Sequence, residues 1–349
     1  MRVVVTGATG NVGTSVVSAL AADERVTEII GIARRMPKWR PPRTQWVSLD
    51  VERHDLTPWF TGADAVIHLA WLIQPSRDAA ELERVNVRGS ARVFETAAEA
   101  GVGVLVHASS VGVYSPGPSD RAVDESWPRE GVKSLFYARH KAAAEKLLDG
   151  LEARHPDLRV VRLRPGLIFK REAGPEIRRL FAGPLLPARL LRPGLLPVLP
   201  LPQGLVVQAV HTADVAEAYR LAALSEHARG AYNIAADPVL DAGELARVLG
   251  SRAVSVPARV VRALADVTYR ARLQPAPAGW LDMGLAVPTM STERARTQLG
   301  WTPRHTSEQA LLEMLEGMRM PHGAQTPPLD AHAGGRFRQG ELRTGVGAR

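Results

Sequence analysis

Short β-branched runs alternate with longer amphipathic stretches through the first half of the chain, and the two periodicities predict different elements. Strands are expected at Arg2 to Thr6, Glu28 to Ala33, Gln45 to Asp50, Ala65 to Leu69, Val104 to Ser109 and Arg159 to Leu163. Helices are expected at Asn11 to Ala22, Glu81 to Ala100 and Leu135 to Arg154. The runs at 3–5, 65–69 and 104–106 are apolar on both faces, as strands covered by helices on both sides must be. Alternation of this kind predicts an α/β fold with a doubly wound parallel sheet. After Arg164-Pro165-Gly166 the rhythm changes to a Pro-rich, Arg-containing segment. A helix at Ala213 to Leu224, a strand at Ala231 to Ile234 and a largely helical remainder follow. The expected organisation is a first domain over 1–170, to which 206–235 returns, and a smaller, mostly helical C-terminal lobe from 171–205 and 236–320. Residues 321–349, rich in Gly and Pro with Phe337 as sole aromatic, are expected to be a disordered tail.

Composition narrows the chemistry. With 45% apolar residues in 349, the chain has a core to bury and is neither disordered nor collagen-like. The absence of cysteine removes disulfides, thiolate metal sites, iron–sulfur clusters and cysteine nucleophiles. The net charge of +8 is local, because residues 1–150 hold 18 basic against 18 acidic side chains and residues 206–320 hold 12 against 12. The surplus lies in 151–205 and in the tail, and with 5% aromatics no basic stripe with stacking partners for nucleic acid emerges. The most apolar stretch, Gly183 to Val210, is broken by six prolines, so no membrane span is expected. Val3 follows Met1 too closely to leave room for a secretory leader, which predicts a cytoplasmic protein.

The strongest local signal is Thr6-Gly7-Ala8-Thr9-Gly10-Asn11-Val12-Gly13, between the first strand and the first helix. A pyrophosphate-binding turn needs glycine where the chain turns sharply, where backbone approaches the phosphates and where helix lies close to strand. Gly7, Gly10 and Gly13, with Asn11 and Val12 opening the helix, meet that need and predict a dinucleotide-binding Rossmann domain. About 20 residues on, where an acid would hold an adenosine ribose hydroxyl, stands Ala33, followed by Arg34 and Arg35. A small residue leaves room for a 2′-phosphate and guanidinium groups supply charge-assisted donors. This favours NADP over NAD, the other reading being a solvated basic turn. Asp50 after the third strand is placed either to meet the adenine edge or to hold a turn.

A second group is Ser109-Ser110-Val111-Gly112-Val113-Tyr114 after a buried strand, then Tyr137-Ala138-Arg139-His140-Lys141 on a helix. Residues four apart share a helix face, so Tyr137 and Lys141 point at one site, where an ammonium would bring a phenol toward proton transfer at neutral pH. Ser110 would hydrogen-bond the substrate oxygen. His68, His107, His140 and His211 lack metal-ligand spacing, and no Gly-x-Ser-x-Gly elbow surrounds Ser109 or Ser110. Arg259 to Leu273 interleaves arginine with Val, Leu and Ala. It is read as a solvated helix packed on the second lobe, ahead of a contact with a membrane surface or an acidic partner.

Taken in order, these motifs resemble the extended short-chain dehydrogenase/reductase group within the NAD-dependent epimerase/dehydratase superfamily. The likeness runs from Arg2 to about Met318. It includes Asp50-Val51, His68-Leu69-Ala70, Asn86-Val87-Arg88-Gly89-Ser90, Arg164-Pro165-Gly166, Val210-His211-Thr212-Ala213-Asp214-Val215, Tyr232-Asn233-Ile234 and Leu299-Gly300-Trp301-Thr302-Pro303. The resemblance implies that Asn86, Ser110, Tyr137 and Lys141 act together. Tyr137 is then the acid/base, Lys141 holds the nicotinamide ribose and lowers the tyrosine pKa, and Asn86 anchors a relay water or its helix. It also implies cofactor contacts from Val51, Leu69, Ala70 and Pro165, and a homodimer through the two long helices. Two positions depart from sugar-nucleotide enzymes of this kind: Pro165-Gly166 replaces an asparagine after the sixth strand, and Val207 replaces an arginine. The expected function is therefore an NADP-dependent oxidoreductase. It would move a hydride between nicotinamide and the carbonyl or secondary alcohol of a small, fairly apolar metabolite, with Phe181 to Leu201 as an apolar substrate wall or a packed edge of the lobe. The alternatives are a sugar-type epimerase or dehydratase that retains NAD(P), and a non-catalytic NADP-binding sensor or assembly protein.

Overall fold

The computed structural model describes residues 1–74, 76–118, 120–182, 187–320 and 323–330. The apolar runs become strands β1 (Arg2–Thr6), β2 (Glu28–Ala33), β3 (Thr44–Ser48), β4 (Ala65–His68), β5 (Val104–Ala108) and β6 (Arg159–Pro165). Among the described residues seven short or later strands follow: β7 (Leu167–Phe169), β8 (Val198–Pro202), β9 (Val206–Val207), β10 (Ala209–His211), β11 (Gly230–Ile234) and β12 (Leu240–Asp241). The last is β13 (Arg252–Val256). Seven of them form one sheet in the order β11-β6-β5-β4-β1-β2-β3, parallel throughout. Strand order reverses between β1 and β4, and in an open α/β sheet the crevice beyond the carboxyl ends at that point is where ligands bind.

The helices are α1 (Asn11–Ala21), α2 (Thr57–Phe60), α3 (Ala79–Glu83), α4 (Ser90–Glu99), α5 (Phe136–Arg154) and α6 (Gly174–Ile177). After them come α7 (Thr212–Leu224), α8 (Ala242–Val248), α9 (Ala258–Arg270), α10 (Gly279–Ala286), α11 (Glu293–Leu299) and α12 (Ser307–Arg319). Because side chains alternate across a strand, β1 sends Val3 and Val5 to one face and Val4 to the other. Val3 and Val5 pack with Val16 and Leu20 of α1 and Val215 and Tyr219 of α7. Val4 packs with Phe60, Phe94 of α4 and Leu148 of α5. Each fully buried side chain of this size contributes about 1.5–3 kcal/mol. Both faces are therefore cores, which is the reason the strands read as unbroken apolar runs. Among the described residues no helix is long and apolar enough to cross a membrane.

Three expectations change here. The third strand ends at Ser48 rather than Asp50, since Leu49 makes the last bond to Ala33 and the Asp50 carboxylate turns back to accept from the Glu52 N–H at 3.0 Å. The long helix Glu81 to Ala100 is broken into α3 and α4 by a π-helical turn over Arg84–Gly89. That turn is held where the Ser90 hydroxyl donates to the Asn86 carbonyl and the Asn86 amide grips the backbone of Leu72, a bulge of the kind found at functional sites. The tail expected from 321 is partly ordered: Leu329 is wholly buried, and Gln325 accepts from the N–H groups of Lys38 and Trp39. Residues 331–349 lie outside those described.

Candidate active site

The turn after β1 is built for close approach. Gly7 has φ +70, and a Cβ there would sit 2.7 Å from the Ala70 nitrogen at the end of β4. A Cβ on Gly13 would meet the Gly7 carbonyl oxygen at 2.3 Å, so any side chain would push α1 away from the turn. The first i→i−4 bond of α1 runs from Thr14 to Gly10 at 3.1 Å, leaving the Asn11, Val12 and Gly13 amides ahead of it as the positive end of the helix. The Asn11 side chain is committed elsewhere, donating to the Ile168 carbonyl and accepting from the Thr212 hydroxyl. Leu69 bonds Thr6 at 3.1 Å and keeps Ala70 against Gly7. Val51 is buried and lies against Gly89.

At the end of β2, Ala33 is buried, while Arg34 and Arg35 are exposed. Among the described residues neither guanidinium has a hydrogen-bond or ion-pair partner. Partial burial and the neighbouring Arg34 push the Arg35 guanidinium below its ordinary value. This cradle, with free amides, no obstructing side chain and two uncommitted cations at one rim, fits a dinucleotide phosphate by the chemistry of its donors.

Ser110 leaves β5 in an extended conformation and accepts from the Gly112 N–H at 3.0 Å. Gly112 lets the Tyr137 ring close in, since a Cβ there would meet Tyr137 Cε1 at 3.2 Å and Met283 Sδ at 2.9 Å. Trp280 lies 5.0 Å and Trp71 6.1 Å from the Tyr137 ring, centroid to centroid, and Phe181 sits edge-on to Trp280 at 4.9 Å. The indole nitrogens of Trp71 and Trp280 are buried, with no hydrogen-bond partner among the described residues. Lys141 Nζ donates to the Ala108 carbonyl at 2.5 Å and stands 3.5 Å over the Trp71 ring. Burial lowers its pKa to about 7.

The expected depression of the tyrosine is not what this arrangement gives. Burial pushes the Tyr137 phenol up, and the opposing influence is the Ser110 hydroxyl, with the Lys141 ammonium 5.7 Å from the ring centroid and turned to Ala108 and Trp71. Among the described residues the hydrogen bonds of Asn86 go to Leu72 and Ser90 rather than to Ser110, Tyr137 or Lys141. Its amide oxygen accepts from Leu72 N at 2.7 Å and its nitrogen donates to Leu72 O at 2.8 Å, so both ends are spent fixing the strand-end segment that carries Trp71. In this structure the Asn86 side chain therefore ties its helix to the Leu72 backbone. Of the Phe181 to Leu201 wall, Phe181 alone is seen to reach the aromatic group; 183–186 lie outside the described residues, and Val198 to Pro202 pairs with β13.

Trp71, Trp280 and Glu145 of the buried network below Ser110 were not among the residues expected at the site. In that network Glu145, wholly buried, forms two bonds with Arg164 at 2.8 and 2.6 Å and accepts from Ser109. Arg164 also donates to the Tyr114 hydroxyl, which donates to Asn233 at 2.6 Å. The i, i+4, i+8 spacing of Tyr137, Lys141 and Glu145 was the available signal. Two distant motifs also meet: Asp214 accepts from the N–H groups of Arg304 and His305 and from His305 Nδ1 at 2.9 Å, and Trp301 donates to its carbonyl. His211, Asp214 and His305 each bring one ligand-type atom within 4.8 Å of the others. These atoms are engaged in this cap and in the N-cap bond from Ala213 to His211.

Fold and cradle define a dinucleotide-binding α/β protein of the doubly wound type. More closely, the chain belongs to the NAD dependent epimerase/dehydratase family, whose model matches residues 3–235. An uncharacterized protein of Mycobacterium tuberculosis is 26% identical over 324 residues, covering 91% of this chain and 30% of its own length. A Stigmatella aurantiaca 4-hydroxy-2-methyl-3-oxo-4-farnesyl-3,4-dihydroquinoline-1-oxide ketoreductase is 32% identical over 171 residues, covering 48% of this chain and 51% of the relative. The chain thus spans about a third to a half of the length of these relatives. In fold it is similar to the Thermus thermophilus UDP-glucose 4-epimerase in complex with NAD, with TM-score 0.66, 22% identity and coverage of 92% and 100% of the two chains. MoeE5 in complex with UDP-glucuronic acid and NAD gives TM-score 0.67 at 23% identity, covering 91% and 99%.

Proposed function

We propose that the chain is an NADP-linked reductase of a carbonyl, or dehydrogenase of the matching secondary alcohol, on an apolar, ring-bearing small molecule. The observation that carries this reading is the apolar recess at Val111, the residue after Ser110. Gly166 and Val207, the two positions where a diphosphate would need polar and cationic contacts, line it together with Val111, Leu167, Val206, Met283 and Val287. Gln208, a polar neighbour, is spent on both backbone atoms of Met290. An apolar wall of this kind gains by burying hydrocarbon and gives a pyrophosphate nothing to pair with.

A bound dinucleotide would supply or accept the hydride. The Gly7 to Gly13 turn and the Asn11, Val12 and Gly13 amides would hold its pyrophosphate, and Leu69, Ala70, Pro165, Asp50 and Val51 are the further residues that would contact it. Ser110 donates to the substrate oxygen. Tyr137, kept protonated by burial, gives its proton to that oxygen as a carbonyl is reduced and takes it back in the reverse direction. Lys141 supplies an ammonium beside the reacting pair, and Trp71 and Trp280 exclude water. Asn86 positions Trp71 through Leu72.

Addition of a panel of apolar cyclic ketones to the protein and NADPH is expected to give a steady fall in cofactor absorbance. Tyr137→Phe is expected to abolish it with NADPH affinity nearly intact; unchanged turnover would remove the mechanism, and product formed without net cofactor change would support the epimerase or dehydratase instead. Arg34 supports the NADP preference through its free guanidinium. Arg34→Ala is expected to weaken NADP binding by about 1–3 kcal/mol and hardly affect NAD, whereas equal losses would refute the preference.

A further inference from the structure

Helix α9, expected as a solvated helix packed on the second lobe, does lean on its neighbours, but it leaves an apolar stripe in solvent. It has no buried residue, and beside the exposed Arg259, Arg262 and Arg270 the apolar Val260, Leu264 and Val267 are 52%, 63% and 62% exposed. Their spacing of four and three places them on one stripe, which Ala271, also exposed, continues. The half-buried side faces the lobe through Val261, Ala265 and Tyr269. The Tyr269 ring lies 4.0 Å from the Arg77 guanidinium, and its hydroxyl is 3.3 Å from that of Ser76. Helix α9 therefore stands against the segment that leads from Trp71.

The charge around this stripe is segregated. Residues 252–273 hold five arginines and one aspartate, inside a stretch, 206–320, that is neutral as a whole. Arg262 is tied to Asp282 and Arg270 to Asp266. Among the described residues Arg252, Arg259 and Arg272 have no acidic partner. The preceding strand β13 repeats the pattern: Arg252 and Val254 pair in register with Val198 and Pro200 of β8, all four exposed.

We propose that α9 docks the protein on an anionic lipid surface, with the Val260, Leu264 and Val267 stripe entering the headgroup boundary and Arg259, Arg272 and Arg252 meeting lipid phosphates. An exposed apolar stripe on a helix that also carries unpaired arginines suits a planar anionic interface. A second copy placed on the same stripe by a two-fold axis would bring arginines against arginines. Docking does not depend on the substrate proposed above, but it would set the Trp71 side of the cleft near a reservoir of apolar molecules.

Flotation of the full chain with vesicles of phosphatidylcholine and phosphatidylglycerol, against phosphatidylcholine alone, tests this. The bound fraction is expected to be at least tenfold higher on the anionic vesicles and to fall in high salt, since a Debye length of about 3 Å at 1 M removes the attraction. Leu264→Asp with Val267→Asp is expected to cut binding at least tenfold with the thermal midpoint unchanged, because neither side chain is buried. Arg259→Glu with Arg272→Glu should cut it similarly. Absence of binding to anionic vesicles, binding indifferent to Leu264→Asp with Val267→Asp, or a sedimenting dimer that this pair dissociates would overturn the proposal.

Discussion

The first turns of α5 present Tyr137 and Lys141, at one end of a buried row of side chains, to Trp71, Trp280 and Met283; mid-helix, the other end of that row presents Glu145 to Ser109, Arg129 and Arg164. Both clusters are buried and polar, and both use one helix face at four-residue spacing. They differ in satisfaction. Around Glu145 the charges are paired: burial alone would raise its pKa, and Arg164 overrides that and holds it below its ordinary value. Around Tyr137 the donors are left over: among the described residues both indole nitrogens, and both nitrogens of His107 beside Trp71, have no partner. A saturated buried network stabilises one arrangement, whereas unpaired buried groups cost stability and are kept where something else is to be bound.

The largest effect should come from breaking the saturated end. Glu145→Ala leaves Arg164 charged and unpaired in the core, and about 3–5 kcal/mol of unfolding free energy should be lost in urea titration. A loss below about 1 kcal/mol would mean the two ends do not differ as described. Acid tests the other end. Burial lowers the His68 pKa to about 3 and holds His107 well below its ordinary value, so between those values and about 6.5 the unfolded chain binds more protons than the folded one. Stability therefore falls as pH drops below about 6.5, by about 1.4 kcal/mol per pH unit for each histidine. His107→Leu should make that acid slope shallower in denaturant melts at stepped pH; an unchanged slope would contradict the assignment. The smallest effect concerns Lys141. With a pKa lowered to about 7, its ammonium is lost as pH rises through that value. If the ammonium assists Tyr137, kcat/KM for ketone reduction should fall above about pH 7, up to about tenfold per unit, and Lys141→Arg should move the fall out of range. A profile flat from about pH 6 to 9 would remove that role.

The sheet was legible because its signal is local. Strands buried on both faces leave apolar runs, and β1, β2 and α5 lie within a residue of their expected bounds. The Gly7 to Gly13 turn was legible for a related reason, as each glycine answers a steric demand of its own neighbours. The π-helical break at Arg84–Gly89 was not. It depends on Asn86 reaching Leu72, 14 residues away, and the intervening α3 pattern reads as continuous helix. Trp71 and Trp280 were invisible as site residues because tryptophan at those positions reads equally as core, and 209 positions separate them.

Sequence alone determined the doubly wound sheet, the dinucleotide cradle and the shared face of Tyr137 and Lys141, because hydrophobic periodicity, glycine sterics and helical spacing act over a few residues. Tertiary structure decided the rest: that Lys141 turns to Ala108 and Trp71, that burial raises Tyr137, that Asn86 holds a loop and that α9 turns its apolar stripe outward. Burial and electrostatics depend on what the fold brings within a few ångströms, and those neighbours come from distant parts of the chain.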